Sequence, residues 1–196
     1  PRPDLAGRIA TALQAGRRPW RVKDYDANGL TLGSLDPADE YGMAVELTNQ
    51  GAAVRRARLT GIYETVEDKL LAEDHKGDYA AYRQAVRENP DEYKGNYVVL
   101  DAVRAESGEF LPYAARALRV AAPGGRVEIF PLDDPGFKWR LRGGGADANG
   151  TQTARFSWTL FVNENCDRPG MPSKVVPALT IIKTYTLRKQ EYTLGV

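Results

Sequence analysis

Residues 31–59, TLGSLDPADEYGMAVELTNQGAAVRRARL, alternate apolar and polar side chains around two turn signals. Met43, Val45 and Leu47 fall on one face, and Ala44, Glu46 and Thr48 on the other. A period of two is the mark of a half-buried strand. Asp36-Pro37 interrupts the pattern before this strand, and Asn49-Gln50-Gly51 interrupts it afterwards. Asn and Gly tolerate positive φ, so the second interruption predicts a tight hairpin turn. Three strands and two turns follow, which commits the chain to a β-rich core.

The same alternation returns later. In residues 153–163, Phe156, Trp158, Leu160 and Val162 oppose Arg155, Ser157 and Thr159. In 136–142, Phe137, Trp139 and Leu141 oppose Lys138 and Arg140. Residues 126–132 place Val127 and Ile129 on one face, and Pro131 demotes that end to an edge or bend. Residues 96–103 and the β-branched run 175–188 predict further strands, with 190–196 as a successor. Residues 143–150, GGGADANG, read as a flexible hairpin loop, and 166–172 as another loop. The glycine run lacks the lysine and following helix of a phosphate-binding loop.

Two segments have helical spacing. Leu5, Ile9 and Leu13, with Ala6 and Ala12, form a stripe over residues 4–15, punctuated by Pro3 and Gly16. That helix either packs on the domain or serves as a juxtamembrane linker. Residues 61–96 are polar and rich in helix formers. There Asp78 is a candidate N-cap, Tyr79, Tyr82 and Val86 recur at helical spacing, Asn89-Pro90 ends the helix, and 64–74 predict a shorter one. The sum is an antiparallel β-sandwich with a helical insertion at about 61–96. Residues 1–28 are expected to be helix and linker, and 29–196 the sandwich.

Composition narrows the function. With 27 basic and 26 acidic residues the net charge is +1, which argues against nucleic acid as a partner. Arg55, Arg56 and Arg58 read as a solvated strand face. Cys166 is the single cysteine, so no internal disulfide forms, and no base lies near it in sequence to activate it. No apolar run approaches the length of a membrane span. Arg17-Arg18-Pro19-Trp20-Arg21 reads as a surface loop or an interfacial anchor. His75, among Glu73, Asp74 and Lys76, reads as solvated, with no second histidine or cysteine to build a zinc site. Trp139 and Trp158 could stack on sugar rings while Asp133, Asp134 and Glu128 polarise hydroxyls. Against that, both tryptophans sit at core-facing positions of alternating strands. No catalytic residue, cofactor or metal is assigned.

Three stretches resemble one family in the same order. Residues 43–59, MAVELTNQGAAVRRARL, resemble the opening hairpin of the periplasmic domain of YidC-type membrane protein insertases. Residues 31–41, TLGSLDPADEY, resemble the segment just ahead of it in planctomycete-type members. Residues 183–196, KTYTLRKQEYTLGV, resemble that family's strand pair of Lys/Thr-aromatic-x-Leu followed by Tyr-x-hydrophobic. The stretches cover less than a third of the chain, and residues 61–96 depart from the pattern.

The resemblance implies a twisted, mutarotase-like supersandwich between a first transmembrane helix and the insertase bundle. It implies a non-catalytic interaction or spacer module at the periplasmic face of the bacterial inner membrane. The implied partners are Sec translocon subunits and nascent membrane proteins. The family has further strands beyond the one at Tyr192, and the chain does not start with Met. It is therefore expected to be a processed product or the N-terminal part of the domain, with an unpaired edge. The alternatives are a carbohydrate-binding or carbohydrate-active sandwich and a secreted adhesion sandwich.

Overall fold

The computed structural model describes residues 5–15, 17, 20–106, 108–121, 125, 127–136, 138–166 and 170–196, with side chains from residue 8 onward. Phe137, Arg126, Pro3, Gly16 and the side chains of Leu5 and Ala6 lie outside the described residues. So do parts of the expected loops at 17–21 and 166–172.

The chain is mainly β, and its core lies between two antiparallel sheets. One sheet is a four-stranded run of β2 (Gly29–Gly33), β3 (Met43–Thr48), β4 (Ala53–Tyr63) and β5 (Asn96–Asp101). The other is built on β11 (Gln152–Asn163), which pairs along its length with β12 (Val175–Leu187). On its other side β11 pairs with β10 (Arg140–Ala146) and β1 (Trp20–Val22). Strand β13 (Leu194–Gly195) closes only the last two residues of β12, at Thr186 and Leu187. Two hairpins, β6 (Val103–Ala105) with β7 (Gly108–Phe110) and β8 (Ala117–Ala121) with β9 (Val127–Pro131), complete the described strands.

Alternation decides what fills the core. Leu32, Val45, Leu47, Val54 and Ala57 meet Ala154, Phe156, Trp158, Leu160, Tyr185 and Leu187 from the opposite sheet. The Tyr185 hydroxyl crosses between sheets to donate to the Ala52 carbonyl at 2.8 Å. Strand β3 is more buried than a half-buried strand. Ala44 and Thr48 are covered as well as Met43, Val45 and Leu47. At Ala44 the helical insertion contributes: α2 (Val66–Asp74) packs on β4, and Tyr79, Ala80 and Arg83 of α3 (Tyr79–Glu88) border a cleft over Ala44 and Glu46.

Asp68 secures that insertion. Its side chain is fully buried, and four donors converge on it. Oδ1 accepts from the Lys94 and Gly95 amides at 2.9 and 2.7 Å, and Oδ2 from the Thr65 amide and hydroxyl at 3.1 and 2.8 Å. The Asp68 amide in turn donates to the Thr65 hydroxyl at 3.1 Å, completing a capping box. Tyr82 anchors α3 edge-on against Tyr63, with ring centroids 5.8 Å apart, and burial pushes its hydroxyl pKa up. Asp78 caps α3 through the Ala81 amide.

Several expectations change. The 143–150 segment is not a free loop. Strand β10 runs through Ala146 with a bulge between Gly143 and Ala146. At Gly143, φ is +105° and a Cβ would lie 2.6 Å from the Thr153 carbonyl oxygen, so only glycine fits. The remaining turn is organised by the Asp147 carboxylate, which accepts from the Asn149 and Thr151 amides. Val127 and Ile129 do share a face, but it is the solvent face. Phe130 points inward instead, with edge contacts to Trp20 and Trp158 at 6.3 and 6.1 Å. The expected boundary at residue 28 does not set the N-terminal segment apart. Strand β1 pairs with β11, and α1 (Leu5–Gln14) buries Ile9, Ala12 and Leu13 against Val162 and Cys166.

Asn49 is the knot between these pieces. Its side chain donates to the Asp26 carbonyl at 2.8 Å and the Trp139 carbonyl at 3.0 Å, and accepts from the Asn28 amide at 2.9 Å. Its carbonyl accepts from the Trp139 amide at 2.9 Å. The left-handed residues of the hairpin turn are Gly51 and Ala52, not Asn49.

Two outcomes follow for stability. Asn49→Ala leaves the Asp26 and Trp139 carbonyls and the Asn28 amide without these partners, and is expected to cost about 2–4 kcal/mol by chemical denaturation. Asp68→Ala is expected to cost about 3 kcal/mol. Hydrogen exchange should quicken across residues 64–96 while β11 stays protected.

Candidate interaction edge

A sheet strand paired on one side only leaves backbone donors and acceptors open to another chain. Strand β12 is such a strand. Between Val175 and Tyr185 no described strand pairs with its outer side. Its side chains are also unusually exposed for a β-branched run: Val175 at 40%, Leu179 at 41% and Ile182 at 48%.

The strand is built in two halves. Leu160 pairs with Leu179 but Phe161 pairs with Pro177, so Ala178 is an extra residue that bends the strand. Pro177 lacks an amide hydrogen. These two features blunt the half nearest Val175 as a template for further pairing. The other half, residues 179–185, keeps a continuous register with β11 from Trp158–Ile181 to Ala154–Tyr185.

Lys183 lies within this second half, on the face that elsewhere carries Ile181, Tyr185 and Leu187. Its ammonium donates to the Tyr113 carbonyl and sits 5.0 Å from the Tyr185 ring centroid. Burial lowers its pKa, because desolvation penalises the charged form. An inward-pointing lysine is one device by which natural edges resist indiscriminate pairing. The signal for it was readable: one charged residue at the apolar phase of an alternating strand.

The carbohydrate-type constellation does not assemble. Trp139 and Trp158 are core residues, 0% and 1% exposed, with no face open to a sugar. The Trp139 indole donates to the Leu132 carbonyl at 2.8 Å. Asp133 and Asp134 do line a cleft of about 410 Å³, with Gln50, Phe110 and Arg116. Within it, the Asp134 carboxylate is engaged by the Gly136 amide at 2.7 Å, as a turn-stabilising acceptor. Glu128 lies on β9 and does not border this cleft.

His75 is not simply solvated. It caps α2, half-buried, with Nδ1 2.9 Å from the Leu71 carbonyl oxygen. Cys166 is buried beneath α1, in the second core cluster. Among the described residues no group of three or more His, Cys, Asp or Glu side chains is placed to hold a metal. No described helix is long and apolar enough to cross a membrane.

The sign of the Lys183 effect is fixed. The folded state binds fewer protons than the unfolded state between the lowered pKa and 10.5, so this residue's contribution to stability rises with pH across that window. Lys183→Met removes the titrating group and is expected to flatten that rise when denaturation at pH 8 and pH 10 is compared with the parent. Compared with known protein families, curated proteins and solved structures, the chain matches none.

Proposed function

We propose that the chain is a non-catalytic interaction module from the periplasmic part of a YidC-type membrane protein insertase. Its working element is residues 179–185 of β12, which receive an extended segment by strand addition. The single observation that carries this reading is the one-sided pairing of β12 over that half. An incoming segment gains backbone hydrogen bonds along the edge, while Leu179 and Ile181 on one face and Thr180 and Ile182 on the other grade it by apolarity. Exposed Leu179 and Ile182 favour hydrophobic segments, the property that nascent membrane proteins share.

The sequence stretches that resemble the insertase family also bear on the reading. Residues 43–59 form β3, a turn and most of β4, and residues 183–196 form the end of β12 and its β13 partner. The module's place is the periplasmic face of the inner membrane, beside translocon subunits. The carbohydrate reading retains the Asp133–Asp134 cleft but loses both tryptophans as a stacking platform.

The test places a photocrosslinker at Leu179 or Ile182, and at Arg87 as a control on the far side of the insertion. The protein is then offered to native bacterial membranes engaged in synthesis. Crosslinks to nascent membrane proteins or translocon subunits are expected from the β12 positions alone, and Ile181→Pro should reduce them about tenfold or more. Equal labelling from Arg87, or no labelling from β12, discards the proposal.

A further inference from the structure

The two sheets treat their outward arginines in opposite ways. On the four-stranded sheet every arginine of β4 has a carboxylate. Arg56 binds Asp101, directly across the strand pair, through two bonds of 2.8 and 3.1 Å. Arg58 reaches Glu46 at 2.7 Å, and Arg55 lies 3.5 Å from Glu109.

On the other sheet, Arg140, Arg142 and Arg155 share the outward face of β10 and β11. Arg142 stands directly opposite Arg155, and Arg140 directly opposite Ser157. None of the three has an ion-pair or hydrogen-bond partner among the described residues. Like charges facing each other across an antiparallel pair oppose the pairing. Arg21 of β1 lies on the same face, opposite Phe161. No acidic residue occupies an outward position of β1, β10, β11 or β12. In a chain with net charge +1 this is segregation, not an excess of base.

The three arginines, Ser157 and Ile182 enclose a depression of about 220 Å³. We propose that it is a binding site for one phosphoryl-class oxyanion, a phosphate ester or inorganic phosphate. Guanidinium groups present planar forks that match phosphate oxygens, and the Ser157 hydroxyl adds a neutral donor. A bound dianion turns the Arg142–Arg155 repulsion into a shared attraction. Its lining holds no aromatic ring on which a nucleobase would stack. The site shares Ile182 with the β12 edge, but its arginines and Ser157 stand on β10 and β11, away from the free side of β12.

The test compares the parent chain with R140Q/R142Q/R155Q and with R87Q/R104Q/R119Q. The second variant removes the same charge from exposed arginines elsewhere. Thermal midpoints are measured in phosphate and in chloride at matched ionic strength. Phosphate stabilises proteins generally by exclusion, so the informative quantity is the difference between variants. At phosphate about ten times Kd, the parent and the charge-matched variant should gain about 4 °C more than the triple variant.

A second arm sediments the three proteins with phosphatidylglycerol or phosphatidylcholine vesicles. Selective capture by the anionic vesicles, weakened about tenfold or more in R140Q/R142Q/R155Q and kept by the charge-matched variant, identifies a lipid headgroup as the source of the phosphoryl group. A phosphate response without vesicle capture identifies a soluble anion. Failure of both arms, or equal loss in the charge-matched variant, overturns the site.

Discussion

The sandwich depends on one buried amide. Asn49 closes hydrogen bonds to the segment ahead of β2, through Asp26 and Asn28, and to Trp139 at the head of β10. It thereby ties the end of β3, in one sheet, to the entry of a strand in the other. A buried amide must find partners, and here its donors reach carbonyls 23 and 90 residues away in sequence. Apolar contacts carry no direction of their own, whereas these bonds are made in one register only. The Tyr185 hydroxyl on the Ala52 carbonyl gives the same hairpin a second directional link to the opposite sheet.

What could be read from the chain follows from how local each cause is. Strand alternation is local, so β11 is legible with the correct inward set, Phe156, Trp158, Leu160 and Val162. Alternation defines two faces without naming the inner one, which is why Val127 and Ile129 share a face that proves to be the wet one. Phe130, Leu118 and Val120 face the core because Trp20 and Trp158 wait there. The chemistry of Asn49 suggests a turn, yet its burial is decided by residues 26, 28 and 139. The open side of β12 is a property of pairing, and no run within residues 175–188 announces it. Lys183 is the exception, a local mark of that edge. The candidate sugar site failed for a related reason: two tryptophans on alternating strands satisfy stacking and core packing equally well in sequence, and only the second sheet decides between them.

The insertion gives the two outer faces unequal roles. Helices α2 and α3, held by Asp68 and the tyrosine cluster, lie over part of the four-stranded sheet, whose arginines are neutralised by Glu46, Asp101 and Glu109. The β11 sheet carries its arginines uncompensated and keeps a long margin open. One side of the molecule is thus settled within the chain, and its unmet charge and unmet backbone are concentrated on the other.

The pairing of β1 with β11 sets a schedule for synthesis. Trp20 meets Val162 across this ladder, so β1 waits for a strand made some 140 residues later. At bacterial or slower elongation speeds that interval is roughly 7–28 s. Throughout it the apolar stripe of α1, Ile9, Ala12 and Leu13, has no Val162 or Cys166 to cover it. Closing so distant a contact is slow for entropic reasons. Helix α1 therefore spends that interval as an uncovered amphipathic surface, available to chaperones or a nearby bilayer until β11 is made.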